Sequence, residues 1–175
     1  MIFVVTGPES SGKSTLAQAL ADHLNWPMFP ELARSYLQAR GDKADSDYRY
    51  RPSDLLTLVI QQQQLEAALP SDAHCILDTD LLTLLVWWQE KYGPTPAAFQ
   101  EAWIKQAPRH YLLCEPDIPW EPDPLRENPS DRVRLLRLHR HELNQRQCAF
   151  SVCSGLGSTR LDGGLALIHQ ALDAG

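Results

Sequence analysis

Lys13 and Ser14 stand near the end of the run Gly7-Pro8-Glu9-Ser10-Ser11-Gly12-Lys13-Ser14-Thr15, which fits the spacing G-x-x-x-x-G-K-[ST]. That spacing does phosphate chemistry. The glycines let the backbone curl closely around phosphate oxygens with its N–H groups turned inward. Lys13 reaches the β- and γ-phosphates, and the Ser14 hydroxyl can ligate Mg²⁺. The helix that follows points the positive end of its dipole at the same anion. The stretch from Gly7 to Thr15 is therefore expected to bind a nucleoside triphosphate as one cradle.

Moving a phosphoryl group from such a cradle takes a metal-side carboxylate, a group that handles the acceptor proton, and cations that meet the transferring charge. Asp78 closes an apolar run, as a Mg²⁺-side carboxylate does, and Asp80 follows two residues later. Glu31 ends another short apolar run and can accept a proton from an acceptor hydroxyl. Arg126 and Arg132 lie at the end of a proline-rich segment and the start of the next helix, placed to fold over the triphosphate. An aspartate at a strand end is also an ordinary helix cap. An exposed arginine is also an ordinary surface ion pair.

The elements that must position these groups alternate between strand and helix. Ile2 to Thr6 reads as the first strand and the segment to Leu24 as the first helix. Pro27 to Pro30 reads as a short second strand tipped by Glu31, with Arg34 three residues on. The polar residues 38–52 predict a loop. Ser53 and Asp54 cap a helix with Leu55, Leu58, Val59, Leu65 and Leu69 inward and Gln61 to Gln64 solvated. Cys75 to Leu77 is the third strand, leading to a helix rich in Leu and Trp that ends at Gly93. A short helix over residues 97–106 leads to the fourth strand, Tyr111 to Cys114. Residues 115–129 are too rich in proline for a helix and form a long loop. A basic amphipathic helix runs to about Gln147, Ala149 to Cys153 is the fifth strand, and Leu161, Leu165, Ile168 and Leu172 mark the last helix. The pattern predicts an α/β fold of P-loop NTPase type: a five-stranded parallel sheet, helices on both faces, and a lid over about residues 115–132.

Bulk properties bound the function. The 175 residues fit one domain, expected to span 1–175. Sixteen basic residues against twenty-two acidic give a net charge of −6, which disfavours a nucleic-acid partner. There is no charged leader and no apolar run of membrane-spanning length, so a soluble cytoplasmic protein is expected. Cys75, Cys114, Cys148 and Cys153 lack metal or redox spacing and read as reduced thiols. His139 and His141, two apart on a helix, share no face.

GPESSGKSTL, the E-x-x-R of Glu31 and Arg34, the DTD of residues 78–80 followed by Trp87, Pro116-Asp117-Ile118-Pro119-Trp120, and then Asp123, Leu125-Arg126 and Arg132 resemble the ribosylnicotinamide kinase domain of NadR-type proteins, an AAA_28-type group. The resemblance runs from Ile2 to about Gly157. It implies ATP-dependent phosphorylation of the ribose 5′-hydroxyl of nicotinamide riboside, giving nicotinamide mononucleotide. On that resemblance Glu31 is the acceptor base and Asp78, with Ser14, the metal-side carboxylate. Lys13, Arg126 and Arg132 meet the phosphates, and Glu31, Arg34, Asp80, Asp117 and Trp120 line the nucleoside site. An indole suits a cationic pyridinium. The nucleotidyltransferase and DNA-binding domains of long NadR proteins do not fit in this chain, and Pro124 stands where the family has a small residue. A related kinase with another hydroxyl acceptor, or a nucleotide-switched regulatory ATPase, are the competing readings. The chain has no N-K-x-D guanine-recognition run.

Overall fold

The computed structural model describes residues 1–44, 50–69, 73–123 and 130–174. Its centre is a parallel sheet of five strands in the order β2-β3-β1-β4-β5. These are β1 (Ile2–Thr6), β2 (Met28–Phe29), β3 (Cys75–Asp78), β4 (Arg109–Cys114) and β5 (Ala149–Cys153).

Alternation along β1 sets the layers. Phe3 and Val5 face α1 (Lys13–Leu24) and α7 (Gly157–Asp173), packing on Leu16, Leu20, Leu165 and Ile168. Ile2 and Val4 face the other way, toward Leu82 of α4 (Leu81–Tyr92) and Leu143 of α6 (Arg132–Gln145). Both faces are covered, so the strand is buried at every position and apolar from Ile2 to Val5. A further cluster joins α2 (Leu32–Ala44), α3 (Pro52–Ala67) and α5 (Ala97–Ile104) to α4 through Ala33, Leu55, Leu58, Leu85, Trp88 and Phe99. Helix α4 is therefore buried nearly all round, which its run of leucines and valine requires. Among the described residues no helix is long and apolar enough to cross a membrane.

Three local readings change. The chain predicted to loop from residue 38 is helical through Ala44, and residues 45–49 lie outside the described residues. Ala33 and Leu37 bury one side of α2, and the Tyr36 hydroxyl donates to Asp54 at 3.1 Å. Once that face is anchored, each further polar residue gains a backbone hydrogen bond by staying helical. At the start of α3 the carboxylate of Asp54 accepts from Arg51 N at 2.7 Å, while Pro52 opens the first turn. Gln62, expected in solvent, is buried and donates to Glu66 at 3.1 Å.

The sheet order places the carboxyl ends of β1 and β3 side by side, with Val5 opposite Asp78. The order reverses about β1, and the crevice beyond that point is where an open parallel sheet binds its ligand.

Candidate active site

The loop between β1 and α1 is bent by residues in left-handed backbone conformations. Gly7 has φ +137°, and a Cβ there would stand 2.7 Å from the Cys114 carbonyl oxygen, so the loop leaves the sheet only through a glycine. Ser10 and Gly12 have φ +49° and +73°, and Gly12 then caps α1. The Ser11 hydroxyl donates to Pro8 O at 2.8 Å, and Lys13 Nζ reaches back across the loop to the same oxygen at 2.7 Å. Ser14 and Thr15 open to solvent.

Two arginines hold this loop from behind. Arg132 donates through Nη1 to Ser10 O and to Ile118 O, both at 2.9 Å, tying the segment after β4 to the phosphate cradle. Arg160, on α7 and 5 % exposed, donates to the carbonyls of Ser11, Gly155 and Glu115 and pairs with Asp117. Asp117 also accepts from Gly155 N at 2.6 Å.

In front of the loop stand two carboxylates. Burial pushes the Glu31 carboxyl above its ordinary pKa and the nearby Asp78 and Asp123 add to the rise, against Lys13 and Arg34. Arg34 Nε lies 3.9 Å from Glu31, and its Nη1 donates to Asp123 at 3.0 Å. The Asp78 carboxyl is also raised by burial, opposed by a hydrogen bond from Ser14 and by the charges of Lys13 and Arg34. Asp78 Oδ1 is buried and, among the described residues, has no hydrogen-bond partner. A hydroxyl beside a carboxylate with an uncommitted oxygen fits a hard divalent cation. Among the described residues no cluster of three or more His, Cys, Asp or Glu could hold a metal. Few protein ligands suit Mg²⁺, which fills its shell with phosphate and water.

Three cavities meet at Glu31. One of about 170 Å³ runs along Ser10, Gly12, Lys13 and Thr15 to Ile118 and Glu121. A second, about 140 Å³, lies between Lys13, Tyr50, Thr83, Trp87 and His139. A third, about 530 Å³, opens between Ser14, Asp78, Arg34 and Asp123. Glu31 lines all three. The arrangement sets a phosphate cradle, a cation-competent pair and a cavity large enough for a small ring around one elevated carboxylate.

The structure brings together Lys13, Ser14, Glu31, Arg34 and Asp78, and it sends other expected residues elsewhere. Asp80 points away from the cavities. Its Oδ1 accepts from Leu82 N at 3.0 Å, and its Oδ2 accepts from the Tyr111 hydroxyl at 2.9 Å and Arg109 at 3.1 Å. The divergence from Asp78 comes from Thr79, which has φ +66° and turns the chain between them. Asp117 is committed to Arg160 and Gly155 N and lines none of the three cavities. Trp120 lines none either; the Arg132 guanidinium lies 5.9 Å from its ring centroid. The aromatic wall is instead Trp87 stacked on Tyr50, centroids 5.4 Å apart. Arg126 lies outside the described residues. Sequence reasoning passed over Arg160 and His139. The first is signalled only as a charge near the start of an amphipathic helix, the second as a histidine in line with Leu135 and Leu143.

Comparison with known proteins bears on the fold. A NadR protein in complex with NR superposes with a TM-score of 0.74 at 18% identity, covering 97% of this chain and 50% of that one. A NadR protein in complex with NAD and AMP-PNP gives 0.67 at 19% identity, covering 97% and 48%. This chain thus spans about half the length of those proteins. Thymidylate kinase from Ehrlichia chaffeensis gives 0.66 at 14% identity, with 98% of both chains covered. Guanylate kinase of Mycoplasma genitalium is 37% identical over 62 residues, 35% of this chain and 26% of its own. The fold is that of P-loop kinases. The AAA domain family model matches residues 2–160, and on that match, together with the phosphate loop set at the carboxyl end of β1, the chain belongs to the AAA_28 family of AAA domains.

Proposed function

We propose that this chain is an ATP-dependent nucleoside kinase, and that its acceptor is the ribose 5′-hydroxyl of nicotinamide riboside. The observation that carries the reading is Glu31, an elevated carboxylate shared by the cavities of the phosphate loop, the cation pair and the aromatic wall. A nucleotide switch needs no such acceptor chamber. The choice of nicotinamide riboside rests on the resemblance of the motifs from Gly7 to Arg132 to NadR-type kinase domains and on the likeness to a NadR protein holding NR.

The residues divide the work. Lys13 leaves Pro8 O to meet the β- and γ-phosphate oxygens, and the Gly7–Thr15 backbone holds them in place. Ser14 and Asp78 would hold Mg²⁺, which when bound would supply charge neutralisation. Glu31 accepts the proton of the attacking hydroxyl; its raised pKa brings it nearer that task. Arg34 orients Glu31, and Arg132 keeps the segment after β4 against the loop. Residues 1–175 act as one kinase domain. The test is ADP formation from ATP and Mg²⁺ with and without nicotinamide riboside. Stimulation with formation of nicotinamide mononucleotide is the expected result; ATP hydrolysis indifferent to every nucleoside would return the chain to the switch reading.

A further inference from the structure

His139 is 2 % exposed, on the inner side of α6. Its Nδ1 stands 2.8 Å from the carbonyl oxygen of Leu135, one helical turn earlier. A carbonyl only accepts, so Nδ1 carries the proton, and in the neutral ring Nε2 is left as a bare lone pair. Burial pushes the imidazole down to about 4, opposed by the Leu135 hydrogen bond and aided by the Lys13 charge, so the ring is neutral at pH 7. Nε2 is buried and, among the described residues, has no hydrogen-bond partner. Two donors of the same cavity are turned elsewhere: Thr83 Oγ1 faces Thr6 Oγ1 at 3.5 Å, and Lys13 Nζ is turned to Pro8 O.

Buried acceptors are satisfied in native proteins, and an exception points to a missing partner. The residue that carries it, His139, lines the 140 Å³ cavity together with Trp87, Tyr50, Lys13 and Glu31. A lone pair repels phosphate oxygens, which excludes the nucleotide's phosphates as the partner. The remaining occupant of this cavity is the molecule to be phosphorylated.

We propose that His139 Nε2 accepts a hydrogen bond from a donor on the nucleoside acceptor, an amide N–H or a hydroxyl, and so determines which acceptors the enzyme takes. This rests on the kinase reading. His139 is then a specificity-determining residue, with proton abstraction left to Glu31 across the cavity.

Initial rates with nicotinamide riboside and ATP test it in the wild type, His139→Leu and His139→Gln. The leucine variant removes the acceptor, and the acceptor KM is expected to rise about tenfold while the KM for ATP holds. Glutamine carries an amide oxygen to about the place of Nε2 and is expected to recover most of the loss. Nicotinic acid riboside, whose carboxylate has no N–H, and 3′-deoxynicotinamide riboside locate the donor. The analogue lacking it is weak on the wild type and no weaker on His139→Leu. Should the variants not fold, long-range ¹H–¹⁵N spectra of the wild-type protein decide: Nε2 is expected at the position of an unprotonated nitrogen and to move upfield when nicotinamide riboside is added. An unchanged acceptor KM in an active leucine variant, equal losses for acceptor and ATP, a protonated Nε2, or an Nε2 signal indifferent to the nucleoside would each overturn the proposal alone. A wild-type chain that hydrolyses ATP but does not phosphorylate nicotinamide riboside would overturn the kinase reading and this inference with it.

Discussion

Asp78 and Asp80 are both buried, both at the end of β3 and only two residues apart, yet they belong to opposite kinds of region. On one side of Thr79, Asp80 is enclosed by donors from Leu82 N, Tyr111 and Arg109, and Arg109 in turn forks onto Glu66 at 2.6 and 2.7 Å. Burial alone would lower the Arg109 guanidinium; the hydrogen bond to Glu66 and the charges of Asp80 and Glu66 outweigh it and hold it above its ordinary value. On the other side, Asp78 keeps a buried oxygen with no partner, and Glu31 and His139 face cavities nearby. A buried polar group with its partners assembled locks a structure, whereas one lacking a partner costs stability until a ligand supplies it. The comparison assigns Asp80 to the scaffold and Asp78 to the ligand.

The largest break in that comparison comes from the cleft side. Glu31→Gln keeps the shape but cannot take the hydroxyl proton, so turnover is expected to fall about a hundredfold to ten-thousandfold, with ATP affinity and melting temperature near those of the wild type. Because burial raises the Glu31 carboxyl, the acid limb of the wild-type kcat/KM profile should lie above the ordinary carboxylate range. Steady-state rates across pH check both. Normal turnover in Glu31→Gln would move the base to another carboxylate.

On the scaffold side the effect is expected in stability instead. Asp80→Ala leaves the Tyr111 hydroxyl and Leu82 N without their acceptor and Arg109 with Glu66 alone, and each buried donor left unsatisfied costs about 1–3 kcal/mol. Urea unfolding monitored by tryptophan fluorescence measures it. Residual activity at low temperature should keep the wild-type KM for both substrates. A stable Asp80→Ala protein with a raised acceptor KM would place Asp80 back among the substrate residues.

The phosphate loop, the alternation of strands and helices and the positions of Glu31 and Asp78 at strand ends were legible in the sequence because each rests on local spacing or on an apolar run. The fate of Asp80 was not. Nothing in D-T-D shows that Thr79 takes a left-handed turn, which points the second carboxylate at a tyrosine and an arginine about thirty residues away. The contacts of Asp117 and Trp120 were illegible for a similar reason, since their partners Arg160 and Arg132 come from helices far along the chain. His139 was hidden because a buried histidine at helical spacing looks the same whether its second nitrogen is satisfied or not. The helix through residues 38–44 was missed because its polar end has no apolar period; α2 is anchored by Ala33 and Leu37 at its start.

A smaller effect separates His139 from the carboxylates by its sign. A histidine whose folded pKa is lowered from 6.5 to about 4 binds its proton more readily when unfolded. Its contribution is therefore fully present above 6.5 and is lost as pH falls toward 4, by up to about 3 kcal/mol. The raised carboxyls of Glu31 and Asp78 run the other way, gaining relative stability as pH falls. Unfolding free energies of the wild type and His139→Gln at pH 7 and pH 4.5 isolate the histidine. The wild type is expected to lose more on acidification, and equal losses would mean that the ring is not held neutral.

The smallest effect sharpens the comparison at Asp78 itself. Its carboxyl is raised by burial, so toward neutral pH the native state bears a cost for this charge that the unfolded chain does not. Asp78→Asn removes the charge and keeps the shape. Ser14 can still hydrogen-bond the amide, although one buried polar atom stays without a partner, which limits the gain. Without metal or nucleotide the variant is expected to be more stable than the wild type by about 0.5–1 kcal/mol, the ordinary size of a relieved functional site. Adding Mg²⁺ and ATP should reverse the order, because ligand binding stabilises only the protein that can complete the site. Urea unfolding of both proteins with and without Mg²⁺ and ATP makes the measurement. An Asp78→Asn protein less stable than the wild type in the absence of ligand would mean that Asp78, like Asp80, belongs to the scaffold, and the contrast across Thr79 would be lost.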